Sequence, residues 1–130
     1  MVAMTDDERA ALRELIVTER ESTQTQIGAL QRDFDEFVEA SETDPPDDEH
    51  DPEGATIAWE RMQTASLLEN ARAHLVALAD ALERLDRDDY GVCERCGQQI
   101  AFERLMARPT TRTCVACVAE STAWPLRSTS

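Results

Sequence analysis

Two apolar stripes of matched length dominate this 130-residue sequence. The first follows Thr5 and recurs at three- and four-residue steps, at Leu12, Ile16, Thr23, Ile27, Leu30, Phe34 and Phe37. The second has the same spacing, at Ile57, Ala58, Ala65, Leu68, Ala71, Leu75, Leu78, Leu82 and Leu85. This period is typical of an α-helix that buries one face. Each segment is therefore predicted to form a helix of about 35 residues with one stripe to bury.

Helix boundary signals flank both stripes. Thr5 and Glu8 have the spacing of a capping box, so the first helix is predicted to start there and to run to about Ala40. The second is predicted to open near Gly54 and to end just before Gly91, a residue suited to the left-handed terminating position. Between the helices the chain is broken by Pro45, Pro46 and Pro52.

The simplest way to bury both stripes is to pair them as an antiparallel coiled-coil hairpin. Packing in a bundle, or against a second copy of the chain, would also bury them. The hairpin is favoured because one proline-broken connection joins stripes of matched length and no third long helix exists, and a monomer is expected. Trp59 and Met62, near the start of the second helix, either pack at the end of the coiled coil, which is more common, or form an exposed contact for a partner.

Four cysteines in the last third of the chain form two pairs with the spacing C-x2-C-x17-C-x2-C, at Cys93, Cys96, Cys114 and Cys117. Each pair can present two thiolates from a tight turn, and two such turns complete a tetrahedron around zinc. The sequence predicts one structural Zn²⁺ with no open position. A thiol-disulfide site or an iron-sulfur cluster fits less well, because the βαβ context and the usual cluster spacings are missing. Three apolar residues between the pairs can form a small core, namely Ile100, Phe102 and Leu105.

These patterns predict a mainly α fold, a long antiparallel coiled-coil helical hairpin with a small C-terminal four-cysteine zinc finger. The expected domains are a hairpin over 1–89 with an acidic tip loop at about 41–54, a finger over 90–120 and a tail over 121–130. Residues 1–20 carry no secretory signal pattern, and no apolar run reaches the roughly 20 residues of a membrane span. The chain is therefore expected to be soluble and cytoplasmic, without membrane contact.

The predicted tip concentrates negative charge in a chain whose net charge is −14. The acids are Asp44, Asp47, Asp48, Glu49 and Asp51. They can be a solvated connector, and they do not follow the calcium-loop pattern. Held at the end of a long hairpin, they could reach places that the body of the protein cannot enter. We interpret them as partner-binding residues.

The charge balance also limits the partners. A strongly acidic chain is repelled by nucleic-acid phosphates and by anionic membranes, so direct sequence-specific DNA binding is not expected. A local basic face on the finger is a candidate rim for a protein partner, and consists of Arg95, Arg104, Arg108 and Arg112. A basic protein is therefore the expected partner.

The combination resembles the DksA/TraR family of bacterial transcription regulators. The resemblance covers about residues 47–119 and is most specific in "DDEHDPEGATIAWER" and "YGVCERCGQQIAFERLMARPTTRTCVAC". It implies a non-enzymatic protein that binds RNA polymerase, inserts its coiled coil into the secondary channel and modulates transcription initiation. The family's D-x-x-D-x-A tip pattern is not present here. The alternative is a zinc-stabilised module that binds another basic protein, and a metalloenzyme would need an open zinc position.

Overall fold

A computed structural model of the chain describes residues 4–43 and 52–122. Four helices follow one another in these residues: α1 (Asp6–Thr43), α2 (Pro52–Asp86), α3 (Phe102–Ala107) and α4 (Val115–Thr122). The described residues form no strand, only an isolated antiparallel bridge between Val92 and Gln99. The predicted fold class, a mainly α helical hairpin with a four-cysteine module, is confirmed.

The starts of the two long helices follow from local chemistry. The Thr5 amide donates to Glu8 Oε1 and the Glu8 amide donates to Thr5 Oγ1, both at 3.0 Å, so the predicted capping box is confirmed. Helix α2 begins two residues earlier than Gly54, at Pro52. Proline is accepted in a first turn because the amide proton it lacks would have no partner there.

The end of α2 differs from the prediction in the residue that adopts the left-handed conformation. Asp88 has φ 65°, and the Asp89 amide donates to the Arg84 carbonyl at 3.1 Å, as in a Schellman motif. Aspartate tolerates this conformation better than most residues with a side chain. Gly91 also has a positive φ, 88°, but it lies in the finger, where the side chains of Met4 and Leu105 lie close to the place that a Cβ would occupy.

The described residues belong to two compact units. The finger unit contains the described residues up to Glu19 and those from Ala77 onward. The helical unit contains the described residues between Arg20 and Val76.

In the finger unit, α1, α2 and the cysteine module share one hydrophobic core. Its members are Leu12, Ile16, Leu78, Ala81, Leu85, Tyr90, Cys93, Ile100, Leu105 and Cys117. The Arg9 guanidinium donates to the Leu85 carbonyl at 2.6 Å and pairs with Asp88, and Arg13 pairs with Asp86. The beginning of α1 therefore lies beside the end of α2, as an antiparallel pair requires.

In the helical unit, α1 and α2 bury a narrower stripe than the sequence predicts. Thr23, Thr64, Leu68 and Ala71 are buried, but the later α1 positions from Ile27 onward are only half-buried. After Ile27, the half-buried positions of the α1 stripe are Leu30, Phe34 and Phe37. A helix with one neighbour covers only the centre of its apolar stripe, so the stripe's margins remain accessible.

At the start of α2 the structure corrects one prediction and decides between two alternatives for another pair of residues. Ala58, assigned to the buried stripe, is exposed. Trp59 and Met62 are 63% and 65% exposed, so they do not pack in a core of the described residues.

The described helices include none that is both long and apolar enough to cross a membrane.

Candidate metal centre

The first cysteine pair lies on a tight backbone turn. The Cys93 amide donates to the Gln98 carbonyl at 2.8 Å, and the Gly97 amide donates back to the Cys93 carbonyl at 2.9 Å. Gly97 has φ 76° and no atom near a Cβ position, so the backbone conformation rather than space selects glycine there. The turn therefore presents the thiols of Cys93 and Cys96 on the same side.

The second pair lies at the start of α4. Cys114 precedes the first residue of this helix, and its carbonyl accepts the Val118 amide at 3.0 Å, so Cys117 follows one turn later. The Glu94 amide donates to the Arg112 carbonyl at 2.9 Å. This bond connects the segments that carry the two pairs.

The four thiols converge on one point. All the Sγ atoms of Cys93, Cys96, Cys114 and Cys117 lie within 4.8 Å of one another, and the Sγ atoms of Cys96 and Cys114 are 3.7 Å apart. A tetrahedron with Zn–S bonds of about 2.3 Å has S···S edges of about 3.8 Å. The donor set therefore fits one structural Zn²⁺ and gives it four protein ligands.

The pKa values of the cysteine thiols differ because their surroundings differ. Burial raises the pKa of Cys93, but hydrogen bonds from the backbone amides of Cys114, Cys96 and Arg95 lower it by more, to about 6. The neighbouring side chains of Cys114 and Cys93, together with burial, raise the pKa of Cys117 to about 12. Four thiolates this close repel one another, so full ionisation of the cluster requires a cation at its centre.

Tyr90 and the small core between the cysteine pairs belong to the same buried cluster as Cys93 and Cys117. Tyr90 is buried, and its hydroxyl donates to the Pro109 carbonyl at 2.8 Å. The Arg84 guanidinium lies over the Tyr90 ring, with its carbon 5.4 Å from the ring centroid, within the range of a cation–π contact. Two predicted residues of the small core, Ile100 and Leu105, are fully buried beside it, and Phe102 is partly buried. These contacts hold the loop between α3 and Cys114 against the end of α2.

The side chains of two predicted rim arginines, Arg104 and Arg112, connect segments of the finger unit. Arg104 donates to the Thr113 carbonyl at 2.9 Å and to Thr111 Oγ1 at 3.0 Å, which orders the segment before Cys114. Arg112 pairs with Asp80 on α2 and with Glu94 between the first two cysteines. Arg95 and Arg108 are exposed. Partner binding by all four arginines stays a prediction.

Asp80 is a structural residue that the sequence reasoning missed. It accepts from Arg84 Nε at 3.0 Å and also pairs with Arg112. Burial raises the Asp80 pKa, but the hydrogen bonds from Arg84 and Arg112 lower it by more, so the net pKa falls below its ordinary value. The four-residue spacing of Asp80 and Arg84 on a helix was a visible signal, whereas the contact with Arg112 is not local in sequence.

The predicted tip acids lie outside the described residues. They are Asp44, Asp47, Asp48, Glu49 and Asp51. Their role in partner binding stays a prediction from sequence.

Comparisons with known proteins agree with this geometry. Residues 88–122 match the prokaryotic dksA/traR C4-type zinc finger. The chain is 33% identical over 114 residues to an uncharacterized protein of Aquifex aeolicus, a match that covers 88% of this chain and 68% of that protein. It is 50% identical over 36 residues to the RNA polymerase-binding transcription factor DksA of Haemophilus influenzae, covering 28% of this chain and 25% of that protein.

A solved structure extends the similarity beyond the finger. The transcription factor DksA2 from Pseudomonas aeruginosa has a TM-score of 0.77 and 26% sequence identity to this chain, and the match covers 92% of this chain and 87% of that one. The predicted zinc cofactor is confirmed by the thiol cluster together with the family match. The chain belongs to the DksA/TraR family of four-cysteine zinc-finger regulators.

Proposed function

We propose that this protein binds RNA polymerase and modulates transcription initiation by inserting its hairpin, with the acidic segment 44–51, into the secondary channel. The observation that carries the proposal is a four-thiol finger that shares one core with the ends of α1 and α2, in a chain similar to DksA2 over 92% of its length. The Haemophilus influenzae relative is an RNA polymerase-binding transcription factor, which makes the polymerase the proposed partner of this chain.

The distribution of charge supports the same partner. Residues 20–76 contain 14 acidic and 4 basic side chains, a net charge of −10 out of −14 for the whole chain. A channel that admits nucleotides attracts anions, so an acidic hairpin is suited to it. The acids 44–51 would then act by charge near the polymerase active site, without chemistry of their own.

The zinc centre has a structural role in this proposal. Four thiolates complete the tetrahedron, so no position is left for a substrate or for an activated water. The finger instead holds the ends of the hairpin together and presents Arg95 and Arg108 to the polymerase rim. We therefore propose a regulator without catalytic activity.

The first test is binding to core RNA polymerase, followed by transcription from a rapidly dissociating promoter. The triple variant Asp47→Asn, Asp48→Asn, Asp51→Asn is expected to lose the transcriptional effect while keeping its zinc and its helical content. A matched control with the same charge change on exposed helical positions, Glu21→Gln, Asp33→Asn, Glu36→Gln, should retain most of it.

Two outcomes would contradict the proposal. If the wild-type protein does not bind core polymerase, the chain is better explained as a zinc-stabilised module for another basic protein, which its net charge of −14 also permits. If the wild-type protein binds and both triple variants change transcription to the same extent, the acidic segment has no special role.

A further inference from the structure

Two large apolar side chains stand exposed on neighbouring turns of α2. Trp59 is 63% exposed and Met62 is 65% exposed. Their three-residue spacing places them on the same face of the helix. Gln63 lies four residues after Trp59, and Ser66 lies four residues after Met62. Both are polar and exposed, so the surface next to the two apolar side chains is open to solvent. Trp59 and Met62 thus form an apolar pair on this face of α2.

The apolar pair contributes little to the stability of the fold. Side chains that remain mostly in contact with water gain little of the free energy of apolar burial. Val76 is also exposed, at 70%, but it is a smaller side chain and lies 14 residues from Met62. Tryptophan and methionine are enriched in protein–protein interfaces, and tryptophan is a frequent hot spot.

Charge determines what can cover the apolar pair. It lies in the helical unit, where residues 20–76 have a net charge of −10. A second copy of the chain, a nucleic acid or an anionic membrane would meet this unit with like charge. A protein surface with basic groups around an apolar depression has the complementary chemistry.

The exposed area points to an anchor within a larger interface. Burying an aromatic side chain removes about 150–250 Å² from water, so the pair supplies roughly 300 Å². A stable interface buries about 800 Å² per partner, so this patch alone is too small to hold a homodimer. The remaining contact area must come from the charged surface around it.

We propose that Trp59 and Met62 are the apolar anchor by which the helical unit docks on its protein partner, in an apolar depression flanked by basic side chains. The inference rests on the proposed function, so the partner is RNA polymerase. Charge attraction brings the surfaces together, and insertion of the apolar pair slows dissociation.

The test compares binding of full-length, zinc-loaded variants to core polymerase. The double variant Trp59→Ala, Met62→Ala should bind at least about tenfold more weakly, the loss typical of a hot spot. Val76→Ala is the matched control, since it truncates an equally exposed apolar side chain on the same helix, and should bind within about twofold of wild type. Helical content and zinc stoichiometry should be unchanged in both.

Hydroxyl-radical footprinting of the same complex gives a second readout. Trp59 and Met62 should be oxidised in the free protein and protected when polymerase is added, whereas Leu67, which is 47% exposed and lies about 140° around the helix axis from Met62, should change less than Met62. Protection that increases with protein concentration when polymerase is omitted would make a second copy the occupant and would overturn the inference.

The outcomes separate the inference from the proposed function. If wild type binds polymerase and the double variant binds equally well, the anchor is wrong and the proposed function stands. If wild type does not bind polymerase, the proposed function fails, and the inference loses its partner and fails with it.

Discussion

Tyr90 is the single tyrosine of the chain and reports on the finger unit directly. Its hydroxyl donates to the Pro109 carbonyl, and its side chain belongs to the same buried cluster as Leu85 and Cys93. Burial raises its pKa to about 12, while the nearby positive charge of Arg84 opposes the rise. The protonated phenol is therefore the form that the folded state favours.

We expect tyrosinate absorbance to appear with a midpoint near pH 12 in the folded, zinc-loaded protein and near pH 10 after unfolding. Because the folded pKa is the higher one, the stabilisation is fully present below about pH 10 and is lost as the pH rises toward 12. Spectrophotometric titration measures this, and Tyr90→Phe provides the blank. A native midpoint near 10 would contradict the burial of the hydroxyl.

Leu78 and Leu105 are fully buried side chains from two different parts of the finger-unit core. Replacing either leucine by alanine is expected to lower the free energy of unfolding by about 2–5 kcal/mol, because the transfer energy is lost and a cavity remains. Denaturant unfolding measures the change. Val76→Ala, at an exposed position, should change stability by less than about 0.5 kcal/mol, and equal effects at the three positions would contradict the described core.

At the scale of elements, a charged network attaches α2 to the finger. Asp80 on α2 pairs with Arg84 and with Arg112, and Arg112 also reaches Glu94. Arg84 is buried, and its Nη2 has no hydrogen-bond acceptor among the described residues. Asp80 is therefore the carboxylate that balances a largely buried guanidinium.

Asp80→Asn is expected to destabilise the finger unit by about 1–3 kcal/mol, because Arg84 keeps its buried charge and loses its ionic partner. The lowered pKa of Asp80 means that its stabilisation is present above about pH 4 and is lost as the pH falls through its folded value. Asp86→Asn removes an exposed pair with Arg13 and should change stability by less than about 1 kcal/mol. Unfolding curves of the two variants at pH 7 give their free energies of unfolding. Similar losses of stability in both variants would contradict a special role for the Asp80 network.

The cysteine module depends on its metal because its own elements are short. Helices α3 and α4 have 6 and 8 residues, and the segment between the pairs adds few buried side chains. Removing zinc with a chelator is expected to expose the amides of Cys93, Ile100 and Leu105 to hydrogen exchange, while Leu68 and Ala71 in the helical unit stay protected. Exchange measured by mass spectrometry tests this. Persistent protection of the finger without zinc would contradict a metal-dependent fold.

At the scale of the whole molecule, the uneven charge predicts how binding responds to salt. Residues 20–76 carry −10 of the total −14, so attraction to a basic partner should act mainly through this segment. Affinity for core polymerase is expected to fall as salt rises from about 0.05 to about 0.3 M, because screening shortens the range of the attraction. The triple variant of residues 47, 48 and 51 should show a weaker salt dependence in the same titration. An unchanged slope would argue against electrostatic docking of the segment.

The sequence predicts most of the architecture because its main signals are local. The capping box at Thr5 and Glu8, the helical period and the spacing of Cys93 and Cys96 each act within a few residues. The choice of Asp88 over Gly91 at the end of α2 was not predictable, because both residues tolerate a positive φ. The contact of Asp80 with Arg112 spans 32 residues and depends on the folded core. Exposure of Ala58 follows from the narrow contact of two helices, which periodicity alone does not measure.

Because the thiols and the hairpin ends share one core, the amount of folded protein depends on zinc. Cys93 and Cys117 lie in the same buried cluster as Leu12 and Leu85, so ion capture and helix pairing are thermodynamically linked. Above the dissociation constant, each tenfold rise in free metal adds about 1.4 kcal/mol to the folded state of this core. Where free zinc falls low enough for this core to unfold, the amount of folded protein is expected to fall with it, even when the rate of synthesis is constant.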